Sequence, residues 1–272
     1  MKIGIFDSGI GGLSVLHEAY HRLPEQDFIF YADTDHVPYG RKEPEEILGY
    51  CRGAARFLEE QGVDAIVIAC NTATSVSVRI LRGEMSLPII GMEPAVKPAV
   101  EQTDQRRVLV MATPVTLQES KLKALIERVD ENHRVDLLAM PELVRFAEQE
   151  QFDAPELDAY LAQQFGTVHP EEYSALVLGC THFNYFKDRY RNFFPKETAL
   201  IDGNAGTIRY LAKQMGISVK GQDEDAPVRF DTPEELVKDT TYYISGRRVE
   251  DRETLMHFLR LHNRLEEMRE IR

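Results

Sequence analysis

Two cysteines stand at matching places in this 272-residue chain. Cys70 closes the apolar run Ala65-Ile66-Val67-Ile68-Ala69 and is followed by Asn71-Thr72. Cys180 closes Ala175-Leu176-Val177-Leu178-Gly179 and is followed by Thr181-His182. The end of a buried parallel strand is where open α/β sheets bind their ligands, and helix N–H groups there favour a thiolate. Four chemistries use two such thiols. A disulfide or redox pair wants C-x-x-C spacing or close Cα atoms. A zinc site wants four ligands at recognisable spacing; Cys180 and His182 supply two, and no second cluster completes them. A Cys–His hydrolase uses one nucleophile and leaves the other thiol idle. Two acid/base groups facing each other across one substrate carbon use both thiols: one removes a proton from one face, and the other delivers a proton to the opposite face. That inverts a stereocentre and accounts for the duplicated motif. Cys51, inside a helical stretch, reads as a packing residue.

The fourth option is demanding. An α-proton is far less acidic than a thiol, so donors must hold the substrate carboxylate as carbanion charge develops. Each thiol also needs a neighbour that tunes its proton affinity. Asp7, at the end of the first strand, and His182 are the candidates. Asn71, Thr72, Thr113, Thr116 and Thr181 follow strand ends as amide or hydroxyl donors. Ser8 with Gly9-x-Gly11-Gly12 forms a close-approach turn before a helix, suited to a small anion such as a carboxylate. It is not a dinucleotide fingerprint, because Ser14 occupies the third glycine position and Asp7 would face the pyrophosphate.

Elements must carry these residues. Apolar runs predict strands over 2–6, 28–31, 65–69 and 87–91, with helices over 13–23, 44–60 and 74–83 between them. The pattern restarts with strands over 107–111, 134–139, 175–179 and 199–202 and helices over 117–129, 142–149, 155–165 and 205–215. The order predicts an α/β fold: two pseudo-symmetric, doubly wound parallel-sheet domains with the active site in the cleft between them. The proline-rich stretch 93–98 is the expected crossing. The expected domains are 1–95 with 208–272, and 96–207, the C-terminal segment returning to the first half. Residues 241–245 read as an edge strand, and 252–271 as a helix docked outside the first half by its apolar stripe.

Composition bounds the function. With 43% hydrophobic and 28% charged residues the chain is globular rather than disordered. A net charge of −13 disfavours nucleic acid and membrane surfaces as partners, since both want a basic face. Neither a signal-peptide core nor a run of roughly 20 apolar residues is present. The expected location is the cytoplasm, with the three cysteines as free thiols.

Taken together, Asp7-Ser8-Gly9-Ile10-Gly11-Gly12-Leu13, Pro38-Tyr39-Gly40, Cys70-Asn71-Thr72-Ala73, Thr113-x-x-Thr116 and Gly179-Cys180-Thr181-His182 form a pattern that resembles the glutamate racemases, of the cofactor-independent aspartate/glutamate racemase superfamily. The resemblance covers about the first three-quarters of the chain. It implies interconversion of L- and D-glutamate by two cysteines without pyridoxal phosphate or metal, supplying D-glutamate for peptidoglycan. It implies that Cys70 and Cys180 transfer protons, that Asp7 assists Cys70, and that His182, backed by Glu148, assists Cys180. Asp7, Ser8, Tyr39, Gly40, Asn71, Thr72, Thr113, Thr116, Thr181 and His182 are then the implied substrate contacts, and a homodimer the implied assembly. Three positions depart from the pattern: Phe183-Asn184-Tyr185 follows the second motif where Tyr-Pro-Leu is usual, Met140 precedes Pro141 where cysteine is usual, and Gly203 follows Asp202 where serine is usual. A racemase of another acidic amino acid such as aspartate, an inactive paralogue, and a non-catalytic amino-acid sensor are the alternatives.

Overall fold

The two cysteine strands occupy equivalent places in two parallel sheets. The computed structural model describes residues 1–102, 104–221 and 226–271. In chain order, the first half contains β1 (Lys2–Asp7), α1 (Leu13–Arg22), β2 (Asp27–Ala32), α2 (Pro44–Glu60), β3 (Ala65–Ile68), α3 (Asn71–Glu84) and β4 (Ile89–Gly91). Then follow α4 (Val96–Gln102), β5 (Arg107–Ala112), α5 (Pro114–Gln118), α6 (Ser120–Val129), β6 (Val135–Ala139), α7 (Glu142–Glu148), α8 (Pro155–Phe165), β7 (Tyr173–Leu178), α9 (Lys187–Tyr190) and β8 (Ala199–Asp202). The chain closes with α10 (Asn204–Met215), α11 (Pro233–Leu236), β9 (Thr240–Ile244), β10 (Arg247–Arg248) and α12 (Arg252–Arg269).

The sheet orders are β10-β9-β2-β1-β3-β4 and β6-β5-β7-β8. The segments β2-β1-β3-β4 and β6-β5-β7-β8 therefore repeat one topology, and every pairing inside them is parallel. In each, the connections leave the first strand in opposite directions, which opens a crevice between β1 and β3 and again between β5 and β7. The ladders end alike: Ala69 N–H donates to Phe6 C=O at 2.7 Å, and Gly179 N–H to Met111 C=O at 2.8 Å. The strands read as near-continuous apolar runs because helices cover both faces; β3 and β7 are buried throughout.

Four boundaries differ from the sequence expectation. Helix α3 begins at Asn71 rather than at 74, so Asn71 and Thr72 sit in its first turn. The helix expected over 117–129 is two, because Glu119 takes extended backbone at φ −62°, ψ 132° between α5 and α6. The crossing contains α4, which tolerates Pro98 in its first turn, where a proline costs no hydrogen bond. Strand β9 is internal, pairing with β2 on one side and β10 on the other. The two-residue turn Ser245-Gly246 takes φ 44° and 82°, the pairing of positive values that closes tight hairpins.

Helix α12 lies on α1, as its apolar stripe requires, but it also packs on the turn after Cys180. Arg264 Nε donates to the Tyr185 carbonyl at 3.0 Å, so the C-terminal helix ties the two halves together. No described helix is long and apolar enough to cross a membrane.

Candidate active site

Each strand end delivers its residue to one buried constellation. Cys70 caps α3, its sulfur accepting from Ala73 N–H at 3.4 Å. Cys180 opens a 3-10 turn, Thr181–Phe186. Both cysteines are buried, as are Asp7, Ser8, Asn71, Thr72, Thr113, Thr116, Thr181 and His182.

Around Cys70 the contacts form a line. The sulfur and the Ser8 hydroxyl lie 3.4 Å apart, and that hydroxyl is 3.2 Å from Asp7 Oδ1. The Ser8 hydroxyl is within donating distance of both, and its one proton goes either to the Cys70 sulfur or to the Asp7 carboxylate. Asp7 Oδ1 also accepts from Gly9 N–H at 3.1 Å, and Oδ2 from the Thr181 hydroxyl at 3.0 Å. Burial pushes the Asp7 carboxyl up to about 6, against the pull of His182 and these hydrogen bonds. Burial, and then the Asp7 charge, hold the Cys70 thiol well above its ordinary value. The helix N–H that the sequence reading invoked lowers it by less than those two raise it.

Around Cys180 the partner is an imidazole. His182 Nδ1 lies 3.7 Å from Cys180 Sγ, and Nε2 lies 2.6 Å from Glu148 Oε1. Burial alone would strip the ring of charge, but hydrogen bonds with Cys180 and Glu148 keep its proton affinity well above that of a free histidine. The protonated ring donates from both nitrogens, to sulfur on one side and carboxylate on the other.

The glycine turn explains itself here. A Cβ on Gly9 would stand 1.9 Å from Glu148 Oε1, and one on Gly11 would stand 2.4 Å from Thr181 Oγ1 and 2.5 Å from His182 Nδ1. Neither contact is possible, so both positions demand glycine. The carboxylate this turn receives belongs to the protein: Ile10 N–H donates to Glu148 Oε1 at 2.9 Å.

Thr72, Thr113 and Thr116 form a triangle of hydroxyls with sides of 2.9, 3.2 and 3.1 Å, joining α3 to the end of β5. Gly40 backs onto Thr113, where an added Cβ would approach its Cβ to 3.0 Å. Asn71 Oδ1 is buried without a hydrogen-bond partner. The Tyr39 hydroxyl donates to Asp33 Oδ2 at 2.6 Å, and its ring is buried in the first half. Cys51 is fully buried in α2, its thiol pushed by burial up to about 12.

Sequence reasoning passed over two braces. The Tyr185 hydroxyl donates to Ile10 C=O at 3.0 Å, and the Ser14 hydroxyl to Thr181 C=O at 3.4 Å. The unusual Phe183 and Tyr185 are buried in the core, Tyr185 against Phe152. Arg41 and Glu142 form an ion pair between the halves. Only a fold that brings 14 against 181 and 185 against 10 reveals such contacts; nothing local to Ser14 or Tyr185 signals its partner.

Residues 13–211 match the family model described as Asp/Glu/Hydantoin racemase. The chain is 48% identical to a glutamate racemase of Lachnospira eligens, with all of both chains covered. It is 55% identical to one of Campylobacter curvus, covering 79% of this chain and 83% of that one. Among solved structures, Escherichia coli glutamate racemase in complex with L-glutamate and the activator UDP-MurNAc-ala superposes with a TM-score of 0.75 at 28% identity, covering 92% of this chain and 99% of that one.

Proposed function

The chain belongs to the Asp/Glu/hydantoin racemase family, and from that premise we propose that it interconverts L- and D-glutamate with Cys70 and Cys180 as the two proton-transfer groups. The observation that carries this reading is the duplication: one topology built twice, a thiol at the same strand end each time, and a separate acid/base partner behind each thiol.

In this mechanism the substrate α-carbon lies between the sulfurs. The thiolate on one side takes the α-proton and becomes a thiol, and the opposite thiol protonates the carbanion on its other face and becomes a thiolate. Cys70 acts on the D-enantiomer and Cys180 on the L-enantiomer. The burial that holds the Cys70 proton tightly also makes its thiolate a stronger base toward the weakly acidic α-proton. Ser8 links Cys70 to Asp7, and His182 links Cys180 to Glu148. Thr72, Thr113, Thr116, Thr181 and the backbone at Tyr39 and Gly40 receive the carboxylates, and Asn71 Oδ1 accepts from the α-ammonium. Every proton moves on a side chain of the protein, so no pyridoxal phosphate or metal takes part in the transfer.

The proposed domains, 1–95 with 208–272 and 96–207, part to admit substrate. A cytoplasmic homodimer that supplies D-glutamate to peptidoglycan completes the reading, with sedimentation the test of the assembly. Circular dichroism of purified chain with L-glutamate, D-glutamate and aspartate tests the activity. Loss of ellipticity with both glutamate enantiomers is expected; inversion of aspartate alone, or of neither, overturns it.

A further inference from the structure

Away from the proton-transfer residues, three histidines and a glutamate meet in the seam between α1 and α12. His17 and His21 stand one turn apart on α1, and His262 and Glu266 one turn apart on α12. All four are buried, none more than 4% exposed. His17 Nε2 lies 2.6 Å and His21 Nε2 2.8 Å from the same oxygen, Glu266 Oε2. Behind them His17 Nδ1 contacts His262 Nδ1 at 3.2 Å, and His262 Nε2 contacts the Tyr242 hydroxyl at 3.3 Å. Tyr242 continues to Tyr20 at 2.8 Å.

A helix seam is ordinarily filled with apolar side chains, and burying this many polar groups needs compensation. Two histidines at i and i+4 with a carboxylate from a facing helix are the donor set that binds zinc-like cations. The ligating atoms of His17, His21 and Glu266 all lie within 4.8 Å of one another. Tetrahedral coordination, with metal–nitrogen bonds of about 2.0–2.1 Å, opens the two nitrogen–oxygen contacts to about 3.3 Å, shifts of about 0.7 and about 0.5 Å.

The hydrogen bonds behind the ligands support the same reading. Without a metal, neutral rings satisfy the chain in one direction: Tyr242 donates to His262, His262 to His17, and His17 to Glu266. With a metal on His17 Nε2 the chain reverses, His17 Nδ1–H donating to His262 Nδ1 and His262 Nε2–H to Tyr242. No ring gains or loses a net proton. A ligand histidine whose second nitrogen is fixed by a hydrogen bond is the usual support of a metal site. A small cavity lined by Ser14, His17, Glu18, Asn184, Lys187 and Arg269 reaches His17 and gives a way in from that side.

We propose that His17, His21 and Glu266 bind one divalent transition-metal ion of the zinc class, clamping α12 to α1. Helix α1 follows the glycine turn directly, and α12 holds Tyr185 through Arg264, so the clamp stiffens both sides of the candidate active site.

The test uses the full chain with Cys70→Ser and Cys180→Ser, so that these thiols do not compete for zinc. After stripping and reloading against a competing chelator, the expected result is one zinc per chain by elemental analysis. Glu266→Gln and His21→Ala in the same background weaken retention about 100-fold or more, and His257→Ala leaves it unchanged. X-ray absorption at the zinc edge of the loaded parent, which needs no further variant to fold, is expected to show nitrogen and oxygen neighbours with imidazole outer shells. No retained zinc, zinc held equally by Glu266→Gln and His21→Ala, or sulfur in the first shell each overturns the proposal.

Discussion

The Thr181 hydroxyl, one residue after Cys180, donates to Asp7 Oδ2 at 3.0 Å, while Asp7 reaches Cys70 through Ser8. Each half thus hydrogen-bonds a buried carboxylate of the other, since Glu148 in turn accepts from Ile10 N–H. Thr181→Val removes a hydrogen bond that lowers the Asp7 carboxyl. We expect the acid limb of the kcat/KM profile to move above pH 6 and activity at neutral pH to fall about tenfold, the effect of losing one bond to a charged group. Thr181→Ser keeps the hydroxyl and restores the profile; an unchanged limb in Thr181→Val contradicts the coupling.

Asp7 makes a stability prediction with a definite sign. Its folded pKa of about 6 lies above the ordinary 3.8. The folded state therefore holds this proton more tightly, and stability from it is present below about pH 4 and lost as pH rises through about 6. The full difference is about 3 kcal/mol. Asp7→Asn, which cannot ionise, is expected to gain up to that amount at pH 8 and nothing at pH 4, while racemisation falls at least about 100-fold. Urea unfolding at the two pH values checks the first part; equal stability at pH 8 contradicts it.

Glu148→Gln keeps an acceptor for Ile10 N–H but removes the charge beside His182. The His182 ring then loses one of the supports that hold its proton. We expect its NMR titration to move downward and kcat to fall about 10- to 100-fold. The two enantiomers are equal in energy, so kcat/KM must fall equally in both directions; a one-sided loss would point to an artefact of assay rather than to Glu148.

Gly11 and Gly49 separate close approach from flexibility. Gly11→Ala drives a methyl into Thr181 and His182 and is expected to cost about 1–3 kcal/mol with activity lost. Gly49, exposed inside α2 with nothing within 4 Å of a Cβ, should gain about 0.5–1 kcal/mol as alanine. Thermal melts of the two variants should move in opposite directions.

Much of this arrangement is legible in the sequence. The apolar runs ending in Cys70 and Cys180 predict their place in the sheets because a strand covered on both faces leaves an unbroken signature. Asp7 and His182 are legible because each lies within a few residues of a strand end. The glycines are legible as close-approach residues, but not what approaches: the sequence suggests a substrate anion, and the contact is Glu148, from a helix far along the chain. The position of β9 was hidden because an internal and an edge strand read alike until the hairpin partner is found. The cluster at His17, His21 and Glu266 escaped because its members lie on two helices whose apolar stripes dominate the pattern.

The claim that two thiols work on opposite faces of one carbon has a direct measure. Cys70→Ser and Cys180→Ser are each incubated with L- and with D-glutamate in deuterated water, and α-deuterium is followed by mass spectrometry. Both variants are expected to lose racemisation by at least about 1,000-fold. Residual exchange should enter only L-glutamate in Cys70→Ser and only D-glutamate in Cys180→Ser. Full racemisation in either variant, or exchange into the same enantiomer in both, contradicts the account.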